Sequence, residues 1–143
     1  MDQEIYDALL ENLKAVQQND IAAYRNTSAE ELTLYEWWIT PHRIDGLPFH
    51  EFMMESNASR GTVFGSGAKQ RAESRFDLSN LSIQRYGHVG IACYTLLVST
   101  ALPDGLHVVS HNESRVMVKQ DGQWKVVHVH KSPAWSAPHV PPT

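Results

Sequence analysis

The chain has 143 residues, of which 42% are hydrophobic and 20% charged, and this length and composition fit one globular domain. Its net charge of -4 comes without any block of Lys and Arg, which argues against nucleic acid as the partner, because phosphate binding requires clustered basic residues. No apolar run approaches the roughly 18 residues of a membrane span. The first residues are acidic rather than signal-like, so we expect a soluble, cytoplasmic protein with no membrane contact.

The N-terminal part of the chain predicts two helices. Over residues 2–18, apolar side chains recur at spacings of four, four and three, which builds one stripe on a helix. The stripe consists of Ile5, Leu9, Leu13 and Val16. Asp20 is placed to cap a short second helix.

A short strand and a third helix are predicted next. Residues 31–38 alternate weakly and then become aromatic, which indicates a strand that ends in Trp37 and Trp38. After a connection, the segment 47–57 favours a helix, because Pro48 suits the first helical position. The stretch 58–71 is predicted to be a loop.

The second half of the chain predicts four long strands, at residues 73–85, 88–102, 106–119 and 123–131. Tyr86-Gly87, Pro103-Asp104-Gly105 and Asp121-Gly122 supply the turns, and Asp-Gly is a strong hairpin signal because both central residues need positive φ. Three consecutive hairpins after helices predict an α+β fold, a cone in which a curved antiparallel sheet wraps around the N-terminal helices. The single cysteine, Cys93, lies in an apolar run and is expected to be a small core residue.

The end of the chain is rich in proline and is not expected to extend the sheet from Ser132 onward, because proline lacks the N–H that a ladder needs. We therefore predict a single domain over residues 1–133 and a Pro-rich tail over residues 134–143.

The last hairpin carries charge where a buried sheet would carry apolar groups. Glu113 and Arg115 lie two apart on one predicted strand and therefore share a face. They are either a structural ion pair or an arginine that a carboxylate holds for anion binding, since a guanidinium presents five donors in a fixed fork. The sequence leaves both interpretations open.

Four histidines on the same hairpin raise the question of a metal site. His128 and His130 share one strand face, as do His107 and His111 on the neighbouring strand. A metal site needs about three converging ligands, and no helical His-Glu motif supports one here. We therefore expect no metal ion and no cofactor.

Residues 113–132, which read Glu-Ser-Arg-Val-Met-Val-Lys-Gln-Asp-Gly-Gln-Trp-Lys-Val-Val-His-Val-His-Lys-Ser, resemble the signature hairpin of the association (hub) domain of calcium/calmodulin-dependent protein kinase II. That domain belongs to the NTF2-like, SnoaL-like superfamily. The resemblance covers residues 3–133. Further stretches match in the same order: Asn19-Asp20 with Ala23-Tyr24, Leu32-Thr33 to Tyr35-Glu36, Asp45-Gly46, Phe49-His50 with Phe52, and Ala92-Cys93-Tyr94.

The resemblance implies sheets that pair into homodimers, dimers that assemble into larger rings, and a deep cavity that binds a small carboxylate. By position, Arg115 and His50 match cavity residues of the family. Lys131 stands where the family usually has arginine, and Leu96 stands where the kinase hub has a third arginine. We expect Arg75 to supply a second guanidinium. The expected ligand-binding set is Arg115, His50, Lys131, Arg75, Glu113 and Tyr94, and Arg115→Ala is predicted to abolish carboxylate binding.

The chain contains no kinase motif, so the favoured function is a stand-alone hub-like module that oligomerises, binds a small anion and phosphorylates nothing. The alternative is a cavity enzyme of the ketosteroid isomerase or SnoaL-like type, with Glu36 as the candidate general base. A carboxylate with a raised pKa and no cation partner would favour that enzyme. A third possibility is a partner-binding adaptor like nuclear transport factor 2, which a large exposed apolar patch would support.

Overall fold

A computed structural model describes residues 1–59, 74–138 and 140. Within those residues the chain forms three helices and six strands. In chain order they are α1 (Gln3–Gln18), α2 (Ile21–Thr27), β1 (Ser28–Tyr35), β2 (Ile44–Asp45), α3 (Leu47–Ser59), β3 (Ser74–Tyr86), β4 (Val89–Leu102), β5 (Gly105–Gln120) and β6 (Gln123–Pro133). The predicted α+β architecture, helices with one curved sheet, is confirmed.

Side-chain caps define the first two helices. Asp2 accepts a hydrogen bond from the backbone N–H of Ile5 at 3.2 Å, and Asn19 ends α1 in the left-handed conformation with φ 54°. Asp20 then caps α2 by accepting from the backbone N–H of Ala23 at 3.1 Å, as the sequence predicted. Asn19 and Asp20, which are adjacent, thus end α1 and begin α2.

The six strands form one sheet in the order β2-β1-β6-β5-β4-β3. Strands β3 to β6 pair as consecutive antiparallel hairpins, whereas β1 pairs with β6 in parallel. The predicted Asp-Gly turn joins β5 to β6, and Asp121 and Gly122 have the positive φ values, 51° and 80°, that this turn requires. The last hairpin therefore lies in the interior of the sheet rather than at its edge.

The main differences between the predicted and the observed elements concern β1, β2 and β6. Strand β1 ends at Tyr35 rather than at Trp38, because a turn follows in which the Glu36 carbonyl accepts from the backbone N–H of Ile39 at 3.1 Å. Strand β2 was not predicted, since only its pairing with β1 defines it. The expectation that the sheet stops before Ser132 is wrong: β6 runs through Pro133, whose missing N–H matters little at the last position of a strand.

Most of the loop predicted over residues 58–71 lies outside the described residues, although α3 runs through Ser59 and so includes the first two of them.

The two faces of the central strands meet different surroundings. The inner face packs against α1, and at Gly90 the approach is so close that a Cβ atom would lie 2.8 Å from the Cδ1 atom of Ile5. The core on this face combines α1 with the sheet and contains Ile5, Leu9, Leu13, Ala92, Leu96, Met117, Val126 and Val129.

We call the opposite side of the sheet the outer face. Along β4 and β5, alternate apolar side chains on it stay half-exposed while their inner-face neighbours are buried. These outer-face residues are Val89, Ile91, Leu97, Val116 and Val118. Cys93 also lies on the outer face, so its expected place in the core is wrong: the two-residue period of a strand turns it away from Ala92 and Tyr94.

Candidate functional site

A row of polar side chains crosses the inner face of the sheet. The strand register places Tyr94, Glu113 and Lys131 opposite one another on β4, β5 and β6. Glu36 follows directly after β1, whose last residue, Tyr35, pairs with the neighbour of Lys131 on β6. Relative exposure is 5% for Tyr94 and 3% for each of the other three, so this charged row (Tyr94, Glu113, Lys131 and Glu36) is buried.

Glu113 is the centre of the first half of the site. Its carboxylate accepts from the Tyr94 hydroxyl at 2.6 Å and is in direct contact with Nη1 of Arg115 and Nε2 of His111. Arg115 also donates from Nη1 to the Tyr94 hydroxyl at 2.7 Å. Arg115 is therefore paired with Glu113, an arrangement that both interpretations of the sequence contain.

Helix α1 fixes the guanidinium from the other side. The Asn12 side chain accepts from Nε of Arg115 at 3.1 Å and donates to the hydroxyls of Thr27 at 2.9 Å and Ser28 at 3.1 Å. Our sequence reasoning missed Asn12, although it had a signal: an amide beside Leu13 on the apolar stripe of α1 is a polar group in a core position. Asn12 ties the arginine to both the helix and the start of β1.

Glu36 organises the second half of the site. Lys131 Nζ donates to its Oε1 atom at 2.9 Å, and Nε2 of His50 lies 3.2 Å from the same atom. The His50 ring packs edge-on against Tyr24 with 5.0 Å between ring centroids. Its other nitrogen, Nδ1, is buried and has no hydrogen-bond partner within the described part of the chain. The site thus contains a polar atom to which the residues that the structure describes offer no partner.

Burial and neighbouring cations act in opposite directions on the two carboxyl groups. Burial raises the pKa of Glu36, but Lys131 and His50 outweigh this and lower it from 4.5 to about 2. Burial likewise opposes ionisation of Glu113, and the charges of Arg115 and Lys131 with the bond from His111 hold its pKa well below the ordinary value. Both carboxylates are therefore ionised at neutral pH, and they balance the two cations.

The tyrosine in the row responds in the opposite direction. Burial, together with the neighbouring Glu113 carboxylate, raises the pKa of Tyr94 despite the opposing charge of Arg115. Tyr94 is consequently a neutral hydroxyl that accepts from Arg115 and donates to Glu113. The hydroxyl connects the two charges without adding one.

Aromatic rings close one end of the charged row. Trp37 and Trp38 pack edge-on, with 4.5 Å between ring centroids, and their rings lie 5.4 and 5.7 Å from that of His111. Lys131 Nζ lies 5.1 Å from the Trp38 ring centroid. Trp124 does not join this end of the row, and its ring lies 5.1 Å from the guanidinium carbon of Arg85. Trp37 and Trp38 are therefore the tryptophans that close the charged row.

The sequence reasoning also missed His111 as a site residue. The parity that predicted a shared face for Glu113 and Arg115 includes His111, which lies two residues before Glu113 on β5 and is 3% exposed. It was grouped with His107, which instead is exposed and lies 2.9 Å from the Asp104 carboxylate near the hairpin turn. The alternation of side chains along β5 therefore predicts that His107 and His111 share a face, but it does not predict that only His111 is buried.

The structure brings together five of the six expected ligand-binding residues: Arg115, His50, Lys131, Glu113 and Tyr94. The candidate base Glu36 joins them. Leu96, at the position where a third arginine was considered, is 1% exposed and part of the apolar core.

Arg75 is not brought to this site, and its expected role there is wrong. It pairs with Ser99 on the outer face, its side chain is 76% exposed, and it donates to Asp77 at 3.0 Å. The reason is a bulge in β3 between Ser79 and Ser82, which shifts the register by one residue and exchanges the two faces. Without that shift Arg75 would share the inner face with Ile83.

The histidines of the last hairpin also lie on different faces of the sheet. His111 lies on the inner face, whereas His128 and His130 lie on the outer face of β6 opposite Val116 and Ser114. Burial and the neighbouring His130 lower the pKa of His128. Within residues 1–59, 74–138 and 140 of this chain, no three His, Cys, Asp or Glu side chains are grouped so that they could hold a metal ion.

None of the helices in the described ranges is both long and apolar enough to cross a lipid bilayer.

Residues 1–135 match the family model described as the calcium/calmodulin dependent protein kinase II association domain. The chain is also 25% identical over 146 residues to the delta subunit of calcium/calmodulin-dependent protein kinase type II from Oryctolagus cuniculus. That match covers 98% of this chain and 25% of the kinase subunit, so the chain spans a quarter of its curated relative's length.

Two solved structures show the same arrangement of helices and strands. The hub of the kinase from S. rosetta has a TM-score of 0.72 and 25% identity, and the match covers 92% of this chain and 95% of that one. An NTF2-like protein of unknown function from Pseudomonas putida has a TM-score of 0.75 and 17% identity over 96% of this chain and 89% of that one. The second likeness establishes the fold and nothing further.

Proposed function

The chain belongs to the calcium/calmodulin-dependent protein kinase II association domain family, and from this membership we propose that it is a self-association module. It would form a homodimer or a larger ring of identical copies. The observation that carries this proposal is the outer face of the sheet. On one side of β4 and β5, the apolar side chains of Val89, Ile91, Val116 and Val118 stay half-exposed in the single chain.

The outer face has the composition of a protein interface. The register makes Ile91 a direct neighbour of Val116, and Val89 a direct neighbour of Val118, so the apolar groups are contiguous across two strands. An antiparallel sheet that faced water on this side would alternate apolar with polar residues cleanly. Contiguous apolar side chains on an exposed face instead favour contact with another surface. A second copy of the same chain is the occupant that the family membership favours.

The native mass in solution tests self-association. Each chain has a mass of 16.1 kDa, and light scattering after size exclusion should give a multiple of it. Val116→Glu places a charge in the centre of the outer face and should lower the native mass to that of a smaller species. Ala22→Glu adds the same charge on an exposed position of α2 and should leave the native mass unchanged. A wild-type monomer, or equal masses for wild type and Val116→Glu, would contradict the proposal.

We further propose that the charged row binds a small carboxylate. Two features support this. Lys131 has three donors, of which one is directed to Glu36, and His50 retains a buried nitrogen without a partner within the described part of the chain. Because Arg115 already bonds Asn12, Tyr94 and Glu113, we assign the first contact with the ligand to Lys131 rather than to Arg115.

Calorimetric titration with acetate and with butyrate tests ligand binding. Lys131→Met keeps an unbranched side chain, removes the charged amine and should abolish the heat of binding. Arg75→Ala removes an exposed cation far from the row and should leave the affinity unchanged. Equal affinity in wild type and Lys131→Met would sink the proposal. Lys131→Met and Arg115→Ala each leave a buried glutamate without a cation partner, Glu36 and Glu113 respectively, so circular dichroism should first confirm that each variant is folded.

The enzyme alternative depends on a carboxylate that accepts a proton readily. A pKa of about 2 makes Glu36 a weak base at neutral pH, and its two partners are Lys131 and His50. Glu113 has a depressed pKa for the same physical reason. Neither group combines a raised pKa with the lack of a cation partner, so the charged row favours binding over proton abstraction.

A further inference from the structure

Two histidines on the outer face do not contribute to the charged row. His128 and His130 lie on β6 with one residue between them, so their side chains project from the same side of the strand. His128 is half-buried and His130 is exposed. Tyr35 of the adjacent strand lies beside both, with 6.1 Å and 4.9 Å between ring centroids. These rings form one compact cluster next to Val116.

A hydroxyl on the neighbouring strand β1 fixes the orientation of the His128 imidazole. Nδ1 of His128 lies 2.8 Å from the hydroxyl of Thr33 on β1. When Nδ1 carries the proton, it donates to this hydroxyl and the lone pair of Nε2 points away from the bond. A histidine that binds a metal ion typically has its second ring nitrogen held by such a partner, which sets both the tautomer and the ring orientation.

The charges around the pair permit a bound cation. The directly opposite residues on β5 are Ser114 and Val116, which carry no charge. Arg43 is the nearby positive group that acts on His128, and its guanidinium is paired with the Asp45 carboxylate at 2.6 Å. The Asp45 carboxylate therefore neutralises the positive charge of Arg43, which would otherwise disfavour a bound cation.

We propose that His128 and His130 chelate a divalent transition-metal ion of the zinc class, and that the same pair from a second copy completes the site. Two imidazoles at alternate positions of one strand supply half of a tetrahedral coordination sphere. Because the described residues of one chain offer no group of three such ligands, the site is incomplete in a single copy. The inference rests on the proposed self-association, since the pair lies on the outer face that would meet the second copy.

The test uses the untagged full chain, treated with a chelator and then dialysed, and titrates it with Zn²⁺ in a calorimeter. The expected stoichiometry is one ion for two chains, because each ion would be shared. His130→Ala removes an exposed ligand and should abolish measurable binding. Thr33→Val retains the shape of the side chain and removes the hydroxyl, which should weaken zinc binding about tenfold. His88→Ala removes an exposed histidine in the turn before β4 and should leave the titration unchanged.

Three results would overturn the shared site: no binding of zinc by wild type, one ion for each chain, or unchanged binding in His130→Ala. The native mass of the same sample in the presence of the chelator separates this inference from the proposed function. A multimer with chelator that fails to bind zinc would reject the metal site alone. A monomer both with chelator and with zinc would reject self-association as well.

Discussion

The inner and outer faces of the last hairpin are built from alternate residues of the same strands, yet their side chains have different surroundings. On the inner face, Glu113 and Arg115 are buried and find their partners within the chain. On the outer face, Val116 and Ser114 of the same strand are half-exposed and face away from the core. The inner face is nearly complete in one chain, whereas we propose that the outer face is completed by contact with a second copy.

This difference separates stability from association. A buried charge depends strongly on its partner, because an unpaired ion in the interior keeps the full cost of leaving water. A half-exposed valine contributes less to the stability of a single chain, because part of its apolar surface stays in water, and burying that surface favours association with another molecule. Changes to the charged row should therefore alter unfolding, and changes to the outer face should alter the native mass.

The largest expected effect on stability is that of Arg115→Ala. It removes the main partner of the buried Glu113 carboxylate and the hydrogen bond that Arg115 Nε donates to the Asn12 side chain. The substitution should therefore lower the free energy of unfolding by about 3–5 kcal/mol. Urea denaturation followed by circular dichroism measures the loss. Arg75→Ala, which breaks an exposed ion pair, should change that free energy by no more than about 0.5 kcal/mol. Similar losses for both variants would remove the contrast between the two faces.

A similar loss is expected on acidification. The pKa of Glu36 is lowered from 4.5 to about 2, so ionised Glu36 stabilises the fold above pH 4.5 and this contribution disappears as pH falls towards 2. A shift of that size corresponds to about 3 kcal/mol. Urea denaturation between pH 6 and pH 3 should show stability falling with pH, and Glu36→Gln should flatten that dependence. An identical pH dependence in the variant would show that Glu36 is not held by its partners.

Asn12→Ala should have a smaller effect. It leaves Nε of Arg115 and the hydroxyls of Thr27 and Ser28 without their amide partner, which should cost about 1–3 kcal/mol. Asn26→Ala, at an exposed position of α2, is the matched control and should stay near the wild-type value. If both substitutions had the same small effect, the link from helix α1 to the charged row would carry no stability.

The fold could be predicted from local signals to a large extent. The sequence predicts Asp20 as a helix cap and Asp121-Gly122 as a hairpin turn, because each feature depends on the conformation of a few adjacent residues. Strand β2 could not be predicted in this way, since its two residues become a strand only through pairing with β1. Pro133 was misjudged because its place at the very end of β6 depends on where the partner strand extends.

The site was only partly predictable for the same physical reason. Strand parity places Glu113 and Arg115 on one face without knowledge of the fold. The contacts of Glu36 with Lys131 and His50 join residues 95 and 14 positions apart and have no local signal. The expectation for Arg75 rested on its place on a neighbouring strand, and the bulge in β3, which decides which face Arg75 occupies, has no signal in the sequence.

The most direct test of the central claim uses Cys93, the single cysteine of the chain, which lies half-buried on the outer face across from Ser114. Its rate of alkylation in the native protein can be followed by mass spectrometry in wild type and in Val116→Glu. If copies of the chain cover the outer face, Cys93 should react slowly in the wild type and much faster in the variant. Equal rates, with Cys93 freely reactive in both proteins, would contradict an interface on this face.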